Sequence, residues 1–490
     1  MVFALAVRQC AYIDPDLWWH LQTGHDIVAT HSIPHVDIYS FTKAGSEWVT
    51  HEWLAEVFMY GVYRIAGWGG LLSLFSALIT LALFITYRRC DGQPYVAAFA
   101  VLLAAASSSP LFGIRPQMLT FLFASIYIAL ISRFAEDGQN RRLWWMVPMM
   151  LVWANVHAGY AVGLGLIGLY VISFVLNRSW ELAKRLGIIL LASAAVVPLN
   201  PNGFRMFSYP LETLTSPSMA AYIEEWASPD FHKVMFLPLA ALLFILLGAL
   251  ALSPKRARAG ELFLLFATGF GALRSGRHIP IFALIAAPVL AKHVWASMES
   301  RGWERWFTKP EVAATGATLL LNSIFLIAPA TLGAVRVYHF VAHQKAYESI
   351  NYPLRAVDFL DAHKLPGPIY NNYGWGGYLI NRLYPNYRVY IDGRADVYGD
   401  DFMTETMRTF DGHSGWRQPL DRLSVHTVLI SPDAALASLL RNDVNWQRVY
   451  EDDQAVIFTR STNVPGVSTL SKNSDADQSA SAKISSFPPR

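Results

Sequence analysis

The sequence predicts an α-helical polytopic membrane protein, of about 10–11 spans, with a small C-terminal α/β extracytoplasmic domain. Three observations predict it. Of 490 residues, 53% are hydrophobic and only 15% charged, where soluble domains carry about a quarter. Residues 69 to 334 are almost continuous apolar blocks, many near the ~20 residues that cross a bilayer core. Beyond 335 the pattern changes to short alternating strand and helix signals. Mean hydropathy is +0.30. The net charge of +3 comes from basic residues dispersed in short loops, not gathered into a stripe, so no nucleic-acid partner is expected.

The first element, residues 1–12 (MVFALAVRQCAY), reads as the last part of a span, truncated or partial. It is too short to cross, and it lacks the polar start and small-residue site of a signal peptide. Residues 13–68 form a first outer loop with amphipathic helices. Asp14 before Pro15 fits an N-cap with proline at the first helical position, for a helix running to about His31. Thr50 is a second N-cap, opening an amphipathic helix with Trp53, Val57, Tyr60 and Ile65 on its apolar side. Trp18 and Trp19 read as interfacial anchors.

The bundle occupies 69–334, with spans at 69–87, 95–112, 116–132, 143–156, 158–176, 186–200, 233–252, 261–275, 279–296 and 311–334. Every second connection is short and basic: Arg88 and Arg89; Arg133, Arg141 and Arg142; Arg178, Lys184 and Arg185; Lys255, Arg256 and Arg258; Arg301, Arg305 and Lys309. Those loops are expected in the cytoplasm, which puts the alternate connections and everything after 334 outside. Cys10 and Cys90 fall near opposite faces, so no disulfide joins them. Residues 335–460 read as the outer α/β domain, with PIYNN, RVYID, HTVLISP, QRVYED and QAVIFTR as strands and GWGGYLINRL and DAALASLLRN as helices. The Ser-rich stretch 461–490 reads as disordered.

The unusual polar residues gather on the outer side, and polar groups at membrane depth are costly and usually functional. In DPDLWWH, Asp14 and Asp16 offer a general base, a divalent-metal ligand or a helix cap, and His20 lies four residues from Asp16 on one helical face. His51, Glu52 and Glu56 stand in HEWLAE, Arg115 in a very short turn before Pro116, and His157 between two apolar spans. RSGRH places Arg274, Arg277 and His278 where positive charge is disfavoured, which points to an anionic partner, a phosphate or a carboxylate. At three residues apart, Arg274 and Arg277 share a helical face. Arg205 in NPNGFR and Glu224 and Glu225 in EEWASPDF complete the set.

An acidic first outer loop, amphipathic helices beside it, a many-span bundle and a C-terminal outer domain together resemble the glycosyltransferase-C superfamily. More closely, DPDLWWHLQTG, HEWLAE, RPQ, WANVHAG, NPNGFR, EEWASPDF and YIDGRADVYGD are similar to a largely uncharacterised family of bacterial membrane proteins grouped with it, over most of residues 12–400. A more distant resemblance is to the oligosaccharyltransferase catalytic subunit. There NNYGWGGYL has Asn372 where that motif has aspartate, and SPLFGIRPQ lacks a second acidic pair. That resemblance therefore implies neither peptide-sequon recognition nor a required metal.

The superfamily resemblance implies inverting transfer of a sugar from a polyprenyl-phosphate-linked donor to an unidentified acceptor on the outer side of the bacterial inner membrane. The catalytic acid would be Asp14 or Asp16. Arg115, Arg274, Arg277 and His278 would line one cavity with them and bind the donor phosphate. His20, His51, Glu52, His157, Arg205, Glu224 and Glu225 would contact the acceptor or support the site. A divalent metal is compatible with the residues and not demanded by them. A transporter or flippase for a lipid-linked or anionic substrate, and a non-catalytic envelope scaffold of the same fold, are the alternatives.

Overall fold

A computed structural model describes residues 1–90, 93–139, 141–306 and 316–461. It divides into two compact units. One comprises Met1–Asp14, Thr23–Ile33 and Val49–His343; the other comprises Pro15–Gln22, Pro34–Trp48 and the chain from Gln344. The 461–490 tail expected to be disordered lies, apart from Ser461, outside the described residues.

The first unit is a helical bundle. In chain order its elements are α1 (Val2–Cys10), the later part of α2 (Leu17–Thr30), α3 (Trp53–Arg88), α4 (Pro94–Ser108), α5 (Gln117–Asp137), α6 (Met146–Val156) and α7 (Tyr160–Leu176). There follow α8 (Trp180–Val196), α9 (Arg205–Thr215), α10 (Pro217–Tyr222), α11 (Leu237–Leu252), α12 (Ala259–Arg274), α13 (Ile279–Glu299) and α14 (Gly316–Ala342). A helix stands at each expected span, since a run with no water to bond must satisfy its backbone internally. The last expected span, 311–334, is described only from Gly316. Among the described residues six helices are long and apolar enough to cross a membrane, and Leu143–Val156, Tyr160–Leu176 and Ile327–Ala342 are shorter apolar ones. The span ending in α13 buries 78% of its most apolar window and forms the centre, whereas those of α8 and α11 bury 28% and face outward.

Two helical prolines show how the bundle is pinned. Proline lacks an N–H, so it frees the carbonyl four residues earlier. Pro288 in α13 frees Leu284, whose oxygen takes Arg89 Nη1 at 2.9 Å from the end of α3. Pro210 in α9 frees Met206, whose oxygen takes the Tyr160 hydroxyl from α7. Arg89, expected as a topological marker, is thus also a helix tie.

Both expected helix starts shift. α2 starts at Leu17, not Pro15, and the Asp16 carbonyl accepts from His20 N at 3.1 Å. The Asp14 carboxylate accepts from Arg115. α3 starts at Trp53 with Glu52, not Thr50, at its cap. It joins the amphipathic segment to the first span through Gly67, whose φ of 58° only glycine adopts without strain. Ala55, Glu56 and Met59 are buried while Ile65 is exposed, so this segment packs inward through a face other than its Trp53–Ile65 apolar side.

In the second unit a four-stranded sheet runs β1 (Ile369–Asn371), β2 (Thr427–Ile430), β4 (Val456–Arg460), β3 (Trp446–Glu451). β1 and β2 are parallel and the other pairs antiparallel. The helices around it are α15 (Gln344–Asn351), α16 (Leu354–Ala362), α17 (Gly376–Leu383), α18 (Ala395–Tyr398), α19 (Asp400–Phe410), α20 (Arg417–Arg422) and α21 (Ala435–Arg441). RVYID, expected as a strand, makes one bridge, Val389 to Ser40. Side chains take three further backbone groups: Asn371 accepts from Tyr390 N at 2.8 Å and donates to the Ile391 oxygen at 2.8 Å, and the Thr42 hydroxyl donates to the Tyr390 oxygen at 2.7 Å. Trp18 and Trp19, expected at a membrane interface, are core residues of this unit. Trp18 stands edge-on to Tyr352 and Tyr378, at 5.5 and 5.0 Å.

Candidate functional site

Four charged side chains form an alternating ladder in the bundle unit. Arg115, in the turn between α4 and α5, donates from Nε to Asp14 and from Nη1 to Glu225. Arg277 reaches the other Glu225 oxygen at 3.3 Å and lays its guanidinium over Trp226 at 4.7 Å. Each carboxylate thus faces a planar cation suited to two-pronged pairing, and the same forks suit a phosphate. Burial pushes the Glu225 carboxyl up, but Arg115 and Arg277 outweigh it and hold the group below the usual carboxylate range. The Asp14 side chain is 8% exposed, those of Arg115 and Arg277 19% and 29%, so this ladder is partly open to its surroundings.

The turn that carries Arg277 is shaped by the Glu225 segment. Ser275 is extended, with φ −152° and ψ 130°, and breaks the helix after Arg274. Its hydroxyl donates to the Glu225 carbonyl at 3.1 Å, and Gly276 N donates to the Ala227 carbonyl at 3.0 Å. Arg274 and Arg277 therefore do not share a helical face, contrary to expectation: Arg274 ends α12 and is exposed, while Arg277 lies in the 3₁₀ turn Gly276–His278. His278 follows it, half-buried.

A second cluster in the same unit centres on Glu52. His51 Nε2 lies 2.9 Å from Glu52 Oε1, and its Nδ1 lies 3.1 Å from the Val49 carbonyl. Both ring nitrogens face acceptors, so a proton is held between His51 and Glu52. His157 Nδ1 accepts from Gly159 N at 2.9 Å, which makes the Thr120 hydroxyl a donor to it at 2.8 Å. Thr120 in turn accepts from Trp153 Nε1 at 2.8 Å. His157 therefore carries its proton on Nε2, 3.5 Å from the same Glu52 oxygen. Tyr209 of α9 packs on the His51 ring at 4.6 Å. Among the described residues no group of three or more His, Cys, Asp or Glu is arranged to hold a metal ion.

The other expected residues stand elsewhere. Arg205 pairs with Glu212 and Ser208 on α9, and Glu224 with Lys233, all at the surface. His20 is buried in the second unit, its ring 3.8 Å from that of Trp19. Asp16 also belongs to that unit; it accepts from Trp19 Nε1 at 3.2 Å. A Cβ on Gly393 would come within 1.8 Å of its carboxylate, so any other residue there would displace the Asp16 side chain. Gly393 is held by a cluster that residue-by-residue reading missed: Arg394 pairs with Asp392 at 2.7 Å and Asp37 at 2.8 Å, lies over Trp48 at 4.4 Å, and Tyr398 donates to Asp392 at 2.6 Å. YIDGRADVYGD carried Asp392 and Arg394 in plain view. Nothing local singled out Asp37, nor Thr120 and Trp226, which act through partners far along the chain.

No sequence-family description matches the chain, and no curated protein sequence does. Solved structures do. The Archaeoglobus fulgidus oligosaccharyltransferase tethered with an acceptor peptide containing the NVT sequon matches at TM-score 0.52 and 12% identity, over 95% of this chain and 74% of that one. ArnT from Cupriavidus metallidurans bound to undecaprenyl phosphate matches at 0.50 and 14%, over 96% and 97%. The archaeal oligosaccharyltransferase AglB of A. fulgidus, in complex with an inhibitory peptide and a dolichol-phosphate, matches at 0.50 and 12%, over 95% and 74%. At these identities the likeness is one of fold. The chain has a glycosyltransferase-C-like fold, that of a polytopic helical membrane protein with a small C-terminal sheet.

Proposed function

From that fold we propose that the chain is an integral membrane glycosyltransferase, which moves a sugar from a polyprenyl-phosphate-linked donor to an acceptor on the outer side of the bacterial inner membrane, with inversion. The observation that carries this reading is the Asp14–Arg115–Glu225–Arg277 ladder, in a fold whose neighbours include structures holding undecaprenyl phosphate and dolichol-phosphate. In this reading the donor phosphate replaces a carboxylate on Arg115 or Arg277, so the guanidinium keeps an anionic partner, and displacement of Asp14 from Arg115 leaves its carboxylate without that cation and able to accept a proton. Asp14, with Asp16 as the other candidate, takes the proton of the acceptor hydroxyl. The acceptor oxygen then attacks the anomeric carbon as the bond to phosphate breaks. The electron pair leaves with the phosphate, and the two guanidinium groups stabilise the charge that develops there. Glu52, His51 and His157 orient the acceptor through their shared proton network.

The test uses the purified chain in liposomes with a panel of polyprenyl-phosphate sugars, scored by donor turnover. Asp14→Asn or Asp16→Asn should leave the folded yield intact and lower transfer by roughly 10²–10⁴-fold, the usual weight of a general base. Turnover unchanged in both variants would remove the assignment of the base. Absence of turnover with any donor, despite folded protein, would favour the scaffold reading.

A further inference from the structure

The chain between α8 and α11 carries a helix with three different sides. On α9 and the residue before it, Phe204, Phe207, Leu211 and Leu214 recur at the three–four spacing of one helical face, and all are exposed, at 79%, 42%, 63% and 53%. A second face carries Arg205, Ser208 and Glu212, which bond one another. The third is buried and holds Met206, Tyr209 and Pro210. The helix is thus packed on one side, polar on another and, among the described residues, exposed and apolar on the last. Soluble surfaces scatter single apolar residues; four on one helical face mark an interaction site.

We propose that this face lies in the lipid of the membrane leaflet, as an interfacial helix. Continuity argues for lipid over another occupant. α9 is tied at both ends to membrane-crossing helices, the one ending at Leu199 and the one starting at Val234. The residues at those ends, Leu199 and Val234, are themselves 66% and 76% exposed. On the Leu199 side only residues 200–203 intervene before Phe204, so the exposed apolar surface of that span resumes within one turn on α9; on the other side the exposed charges of Glu224, Asp230 and Lys233 separate α9 from Val234. The polar side is neutralised by the two-pronged Arg205–Glu212 pair, as an interfacial helix requires on its water side. The depth of the helix is set from within, because the Tyr160 hydroxyl occupies the Met206 carbonyl that Pro210 frees.

Spin-label accessibility tests this directly. In a Cys90→Ser background, where the remaining Cys10 is buried, nitroxides are placed by Phe207→Cys, Leu211→Cys, Leu214→Cys and, on the polar side, Glu212→Cys. The protein is reconstituted in phosphatidylethanolamine–phosphatidylglycerol vesicles. Relaxation by oxygen should exceed relaxation by a water-soluble nickel chelate at 207, 211 and 214, with the order reversed at 212. Nickel dominance at all four positions would overturn the proposal in favour of a water-exposed face. Low access to both agents at 207, 211 and 214, with dipolar broadening between labels, would overturn it in favour of a second copy of the chain. The unmodified protein gives an independent reading: a diazirine on a lipid acyl chain should label the 204–214 peptide, and absence of that label would likewise count against lipid contact.

Discussion

Two clusters in this chain use the same chemistry, carboxylates arranged around arginine, to different ends. In the second unit Arg394 is 2% exposed, Asp37 2% and Asp392 0%, and the guanidinium is also covered by Trp48 and Tyr39. In the bundle unit the side chains of Arg115, Glu225 and Arg277 keep 19%, 21% and 29% of their surface. A sealed pair cannot change partner, because breaking it strands a charge in a medium that does not solvate it. A partly open pair can, since water or an incoming anion takes over as the first partner leaves. Burial, not residue type, separates the brace from the candidate site.

The largest expected effect breaks the sealed member. Arg394→Ala leaves Asp37 and Asp392 buried beside no cation, and should cost about 3–5 kcal/mol of stability in the second unit. Denaturant unfolding followed through that unit's tryptophans measures it. A loss under about 1 kcal/mol, the weight of an exposed pair, would erase the distinction between the clusters.

The open member should show itself in acid. The folded Glu225 carboxyl lies below its ordinary value, so its contribution is present above the unfolded value, about 4.3, and is lost as pH falls through the folded one. The thermal midpoint of the wild type should therefore exceed that of Glu225→Gln at neutral pH, and the gap should close on acidification below the ordinary carboxylate value. A gap that widens in acid would mean that the ladder does not stabilise the ionised form.

The smallest effect sharpens the geometry of that member. Arg277→Lys keeps the charge on Glu225 but loses the planar stack on Trp226, a loss of roughly 0.5–1 kcal/mol at a partly exposed site. Melting temperature in detergent reads it, with Trp226→Leu as the matching variant. The two changes combined should cost no more than either alone.

What the sequence determined by itself was mostly what depends on neighbours within a few residues. The spans were legible because a lipid-buried segment must be apolar along its whole length and bond its own backbone. β1, β2, β3 and β4 were legible as short apolar runs between turn residues. Asp14, Arg115, Glu225 and Arg277 stood out one at a time, as charges that an apolar setting does not tolerate without reason. Only the tertiary structure decided which of them meet. Asp14 and Arg115 are 101 residues apart and Arg115 and Glu225 110, and no periodicity encodes a pairing at such separations. The fold also decided against local expectation where a distant group competed for the same atoms. The Asn371 and Thr42 side chains took hydrogen bonds of RVYID, and the Glu225 carbonyl, bound by Ser275, split Arg274 from Arg277. In each case a long-range hydrogen bond outweighed a local preference worth about 1 kcal/mol or less.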